Sequence, residues 1–146
     1  MHNQVFVALV AGLALAIQAT INAGLAARIG GAFAASAVSF AMATLILVTF
    51  LVVQGRLLPT TELLRSVPPI YWVGGVLGAI YVTGAISSVG ALGTTAAICL
   101  ILAGQVFGAI LLDYSGVISG TAKLISPIRL FGACLVLLGA IVAVTN

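Results

Sequence analysis

Four stretches of the 146-residue chain, 2–27, 29–55, 66–112 and 130–146, contain no Asp, Glu, Lys or Arg. About 20 apolar helical residues cross the roughly 30 Å hydrocarbon core of a bilayer. The first, second and fourth stretches therefore each supply one span, and the third is long enough for two spans and a turn. The predicted spans are 4–27, 32–53, 70–89, 92–112 and 127–144. The expected fold class is all-α, a polytopic transmembrane helix bundle of five spans in a single domain. A membrane β-barrel would show alternating segments of about 10 residues instead.

The fourth span organises the rest. Positions 92–113 read LGTTAAICLILAGQVFGAILLD, with one amide, Gln105, deep in an apolar run that stops at Asp113. Gly104 and Gly108 form a small-xxx-small pair, which lets a second helix approach closely. Gly74 and Gly78 in the third span, and Gly132 and Gly139 in the fifth, are further helix-packing candidates.

Between the spans the signals are short. Arg28 and Gly30–Gly31 predict a tight turn after the first span. Ser36 and Ser39 open the second, where serines usually bond back to their own helix carbonyls. The main polar loop, 54–69, holds Arg56, Glu62 and Arg65 as a solvated face and ends in Pro68–Pro69. Tyr71 and Trp72 follow at the depth where aromatic side chains favour the interface. An uncharged break is expected at 87–93. A second loop with Lys123 precedes Pro127, a favoured residue for a first helical turn.

Composition makes lipid the solvent. The chain is 63% hydrophobic and 5% charged, against about 25% charged in soluble domains. The net charge of +3 is dilute and has no basic patch with interleaved aromatics, so no nucleic-acid partner is expected. Cys99 and Cys134 lie in spans, and no metal or cofactor site is expected of them. The first apolar run is expected to remain as a span, because it lacks the basic n-region of a signal peptide. Loop cations place Arg56, Arg65, Lys123 and Arg129 on the N-terminal side and Arg28 on the other. This predicts a cytoplasmic N-terminus.

Polar groups in the spans carry the candidate chemistry. Gln18 and Asn22, four apart, share one helix face. Such amides are costly in hydrocarbon without partners, so this face points at protein or at a watery cavity. Both an interhelical bond that only holds the bundle and a substrate contact fit. Tyr81 lies near mid-span, and its hydroxyl wants a partner. Gln18, Asn22, Tyr81 and Gln105 are the cavity candidates. Asp113 has two readings: it pairs with Arg129 or Lys123 at the interface, or it takes up a proton or cation during transport. No catalytic constellation can be assembled around the single histidine, His2, so no enzyme is expected.

The sequences IQATIN in the first span, AASAVSF opening the second, GGVLGA in the third and AGQVFGAILLDYSG closing the fourth carry a resemblance. So does the Pro-x-Arg-Leu-x-Gly run at 127–132. In this order the chain resembles the YdcZ-like family of five-helix bacterial inner-membrane proteins, in the drug/metabolite transporter superfamily. The resemblance implies a transport role at the inner membrane. Larger members of that superfamily contain two five-helix repeats of inverted topology, so this chain looks like one half. Five is odd, so the second half must be a copy inserted upside down or a sister five-helix protein. The expected function is a dimeric exporter of a small metabolite or drug-like compound, acting by alternating access. The alternative is a non-transporting membrane scaffold or a regulatory subunit of a partner complex.

Overall fold

The computed structural model describes residues 2–56, 59–116 and 124–145. Six helices and one 3-10 turn follow in order: α1 (His2–Ile29), α2 (Ala32–Val53), α3 (Thr61–Ser66), the turn Pro69–Trp72, α4 (Val73–Leu92), α5 (Thr94–Ser115) and α6 (Pro127–Thr145). Among the described residues there is no strand. Among the described residues, five helical segments are long and apolar enough to cross a membrane: Asn3–Ile29, Ala32–Val53, Pro69–Leu92, Thr94–Ser115 and Pro127–Thr145. They correspond to the five expected spans: 32–53 is unchanged, 4–27, 70–89 and 127–144 are extended by one to three residues at one or both ends, and the fourth is shifted, starting at Thr94 rather than 92 and running on to Ser115.

The spans have no polar face of the kind that turns a soluble helix towards water. Large side chains such as Phe6, Phe33, Leu45, Phe107 and Phe131 are exposed on the protein. In hydrocarbon that exposure costs nothing, because lipid tails are as apolar as leucine. The buried positions are instead small, with Ala19, Ala35, Ala85, Ala97 and Ala140 among them, and Ile86 is the largest fully buried side chain.

Glycine sets the sharp connections. Gly30 and Gly31 have φ of +97° and +109°, conformations an L side chain adopts only with strain. They turn α1 into α2 within two residues. Arg28, in the last turn of α1, folds back on its own helix and donates from Nη1 to the Gly24 carbonyl at 2.8 Å.

The expected break at 87–93 is much shorter in the structure. α4 runs on to Leu92, and Gly93 alone, at φ +80°, separates it from α5. The reason is local. Ser87 donates its hydroxyl to the Thr83 carbonyl of its own helix, and no proline interrupts the run. The 54–69 loop also has internal structure: Thr60 caps α3 by accepting from the Leu63 amide at 3.3 Å.

The chain forms two compact units, Met1–Ser87 and Ser88–Asn146. In the first, α1 packs on α2; in the second, α5 packs on α6.

Candidate functional site

In the first unit three helices are joined by polar side chains. Asn22 of α1 is buried and donates from Nδ2 to Ser39 Oγ of α2 at 3.0 Å. One turn earlier on α2, the buried Ser36 donates its hydroxyl to the Ala32 carbonyl at 2.8 Å. Ser36 Oγ also lies 2.9 Å from Thr83 Oγ1 of α4. Ser36 therefore does what a serine in a helix usually does, and it additionally links two spans. Beside this link the α2 ring of Phe40 comes 3.8 Å from where a Cβ on Gly78 would stand. An alanine at Gly78 would therefore meet α2 at ordinary van der Waals distance.

The four cavity candidates fall into different environments. Asn22 is buried, and one of its N–H groups is committed to Ser39. Gln18, one turn before it, is exposed on the chain, as is Gln105 on α5. Tyr81 is half-buried with its hydroxyl oxygen enclosed. The shared face of Gln18 and Asn22 thus divides: its deeper half is filled by Ser39 and its other half opens outward.

The second unit offers a different surface. An apolar cavity of about 510 Å³ lies between α5 and α6. Leu100, Gly104 and Phe107 line it from α5, and Leu130, Cys134 and Leu137 from α6. None of Gln18, Asn22, Tyr81 or Gln105 lines it. Gly104 contributes by having no side chain, and a Cβ there or on Gly74, Gly108, Gly132 or Gly139 would meet nothing within 4 Å. Within one chain these five glycines therefore leave open space.

Asp113 is half-buried near the end of α5, and Arg129 is exposed in the first turn of α6. Among the described residues no ion pair joins them. Lys123, the other candidate partner of Asp113, lies outside the described residues.

Two features escaped the sequence. Thr83 was not singled out, because a lone threonine in an apolar span has no periodic signal; its worth depends on Ser36, 47 positions away. The α5–α6 cavity was not foreseen either, because it comes from the mutual placement of apolar side chains that look alike in sequence.

Comparison with known proteins adds the decisive link. No curated protein and no solved structure matches the chain. A family model described as "Putative inner membrane exporter, YdcZ" matches residues 4–142. That match takes in all five helices long enough to span a membrane, nearly end to end. With five apolar helices among the described residues and this match along almost its whole length, the chain belongs to the YdcZ family of multi-pass inner-membrane proteins, a family described as an exporter.

Proposed function

We propose that the protein is a dimeric exporter of a small metabolite or drug-like compound, and that it moves its substrate by alternating access. The single observation that carries the reading is the family match over residues 4–142. The placement of polar groups supports it. Asp113 stands near the end of α5, so the depth of the spans offers amides and hydroxyls rather than carboxylates. A path of that kind holds its substrate through neutral hydrogen bonds. Gln18 and Gln105 are exposed amides in spans, which hydrocarbon does not tolerate cheaply. We assign them to the substrate path, completed by a second five-helix chain of opposite insertion. That chain is a second copy in an antiparallel homodimer or a sister protein in a heterodimer. The substrate then lies near mid-membrane between the two halves. In one of the two halves the N-terminus is cytoplasmic, and Asp113 and Arg129, which form no ion pair among the described residues of the chain, stand on that side, where Asp113 is a coupling site.

The test is efflux from proteoliposomes, with a panel of neutral and cationic fluorescent dyes. Gln105→Ala and Gln18→Ala are expected to slow efflux about tenfold or more without loss of helicity, the size of effect that removing one polar contact in a low-dielectric site produces. Unchanged efflux by folded variants would remove those residues from the path.

One observation favours a second reading, that of a non-transporting scaffold or regulatory subunit. The Asn22 amide is already bonded to Ser39, as structural glue would be. Under that reading the purified protein gains no thermal stability from any dye in the panel. A dye that binds the folded state raises it by mass action.

A further inference from the structure

The 54–68 connection is tied at one end to α2, which finishes at Val53, and at the other to the membrane span that begins at Pro69. So short a tether keeps α3 at the membrane surface. At about 100° per residue, Leu63 and Leu64 share one side of α3, and Thr61, Glu62, Arg65 and Ser66 share the other. No residue of α3 is buried. Leu63 is 59% and Leu64 37% exposed. Helices shorter than about 12 residues are marginal in water even with good sequences. A six-residue helix with an uncovered leucine face therefore needs a surface to lie on. Arg56 and Arg65 are exposed, and Trp72 is exposed in the turn that leads into α4.

We propose that Arg56 and residues 59–72 form a binding surface for anionic phospholipid. Leu63 and Leu64 sink into the headgroup boundary, Arg56 and Arg65 hold lipid phosphates, and Trp72 sets the depth. Charge complementarity selects the occupant. Two arginines stand against one acid, Glu62, and a guanidinium binds phosphate through paired, charge-assisted hydrogen bonds. Long arginine stems let the charged heads reach headgroups while the leucines stay in the apolar layer. Anionic lipid surfaces attract such segments by an amount that corresponds to about fivefold per arginine. The effect on the protein is to hold the facing ends of α2 and α4 at one depth.

Trp72 is the single tryptophan, so fluorescence quenching reads this place alone. The protein is reconstituted in nanodiscs of equal phosphatidylglycerol and phosphatidylcholine, with bromine high on the acyl chains of one lipid or the other. Brominated phosphatidylglycerol is expected to quench with about a twofold to fivefold preference. The preference is lost in Arg56→Gln/Arg65→Gln, and it shrinks in about 1 M salt, where the screening length is about 3 Å. Equal quenching by both lipids in the wild type overturns the proposal, as does a preference that survives the double substitution. A second measurement does not depend on arginine. Nitroxides are placed at Leu64→Cys and Ser66→Cys, with Cys99 and Cys134 replaced by serine. The Leu64 position is expected to meet dissolved oxygen and the Ser66 position a water-soluble nickel complex. Nickel access at both positions indicates a solvated loop, access to neither reagent at either indicates a protein partner, and each result overturns the proposal.

Discussion

Inside hydrocarbon an amide has no water to fall back on, and leaving one unpaired costs about several kcal/mol. Asn22 meets this by donating to Ser39 across the α1–α2 contact. The measured worth of such bonds in membranes is smaller than that penalty, about 0.6 kcal/mol on average and up to about 1.7 kcal/mol, because the unfolded chain also finds partners. A double-mutant cycle of Asn22→Ala and Ser39→Ala is therefore expected to give a coupling of about 0.6–1.7 kcal/mol, read from unfolding in bicelles with added SDS. A coupling indistinguishable from zero would show that the bond does not hold α1 to α2 in lipid. Sequence spacing placed Asn22 on a polar face but could not find Ser39, because a pairing between helices leaves no mark on either helix alone. For the same reason Gln18 and Asn22 looked equivalent, although only Asn22 is enclosed.

α1 and α2, and α4 and α5, are separated by backbone conformation at one or two glycines, and the consequence is testable with paired glycine substitutions. At Gly31, with φ +109°, a Cβ strains the turn, and Gly31→Ala is expected to destabilise the protein by about 1–2 kcal/mol. Gly12 lies inside α1 with nothing within 4 Å of a Cβ. Gly12→Ala should be neutral or stabilise by about 0.5–1 kcal/mol, since alanine is the better helix former. Thermal unfolding followed by circular dichroism checks both, and equal effects would contradict the turn geometry. Packing supplies the other contrast. Ala140 on α6 is 1% exposed. Ala140→Leu is expected to cost about 1–3 kcal/mol through overpacking. Short breaks were overestimated in the sequence because glycine and serine at 87–93 look like a loop. The structure uses Ser87 inside the helix and leaves the break to Gly93.

For the whole molecule the question is what meets the open surfaces. Gly104 and Gly108 leave space that a second helix could enter. If the proposed dimer forms there, Gly104→Leu with Gly108→Leu abolishes it while helicity is kept, because a Cβ at either position meets nothing within 4 Å in its own chain. Light scattering on the detergent-solubilised protein reads the outcome, and an intact dimer would move the interface elsewhere. Orientation is decided by a cysteine added after Asn146, with Cys99 and Cys134 replaced, and an impermeant thiol reagent applied before and after permeabilisation. Labelling of about half the protein from outside is expected for an antiparallel homodimer, because the loop cations differ by only four against one between the two sides. Complete labelling from outside would require a sister protein of opposite insertion.

The number of spans, their order and the membrane as solvent were determined by the sequence alone. Runs without charge, bounded by a few cations and glycines, leave no other way to satisfy the backbone than helices in lipid. The family was legible too, because it rests on short motifs in fixed order, and the match over residues 4–142 bears that out. Only the tertiary structure decided which polar groups are spent. Asn22 is bonded to Ser39 and Ser36 is shared with Thr83, whereas Gln18 and Gln105 remain on the surface. It also decided where space is left, in the apolar cavity between α5 and α6. The physical reason is the same in both cases. Helices that are apolar all round carry no stripe to say which side faces inward. Contact faces and open faces are then set by how small residues let the helices approach.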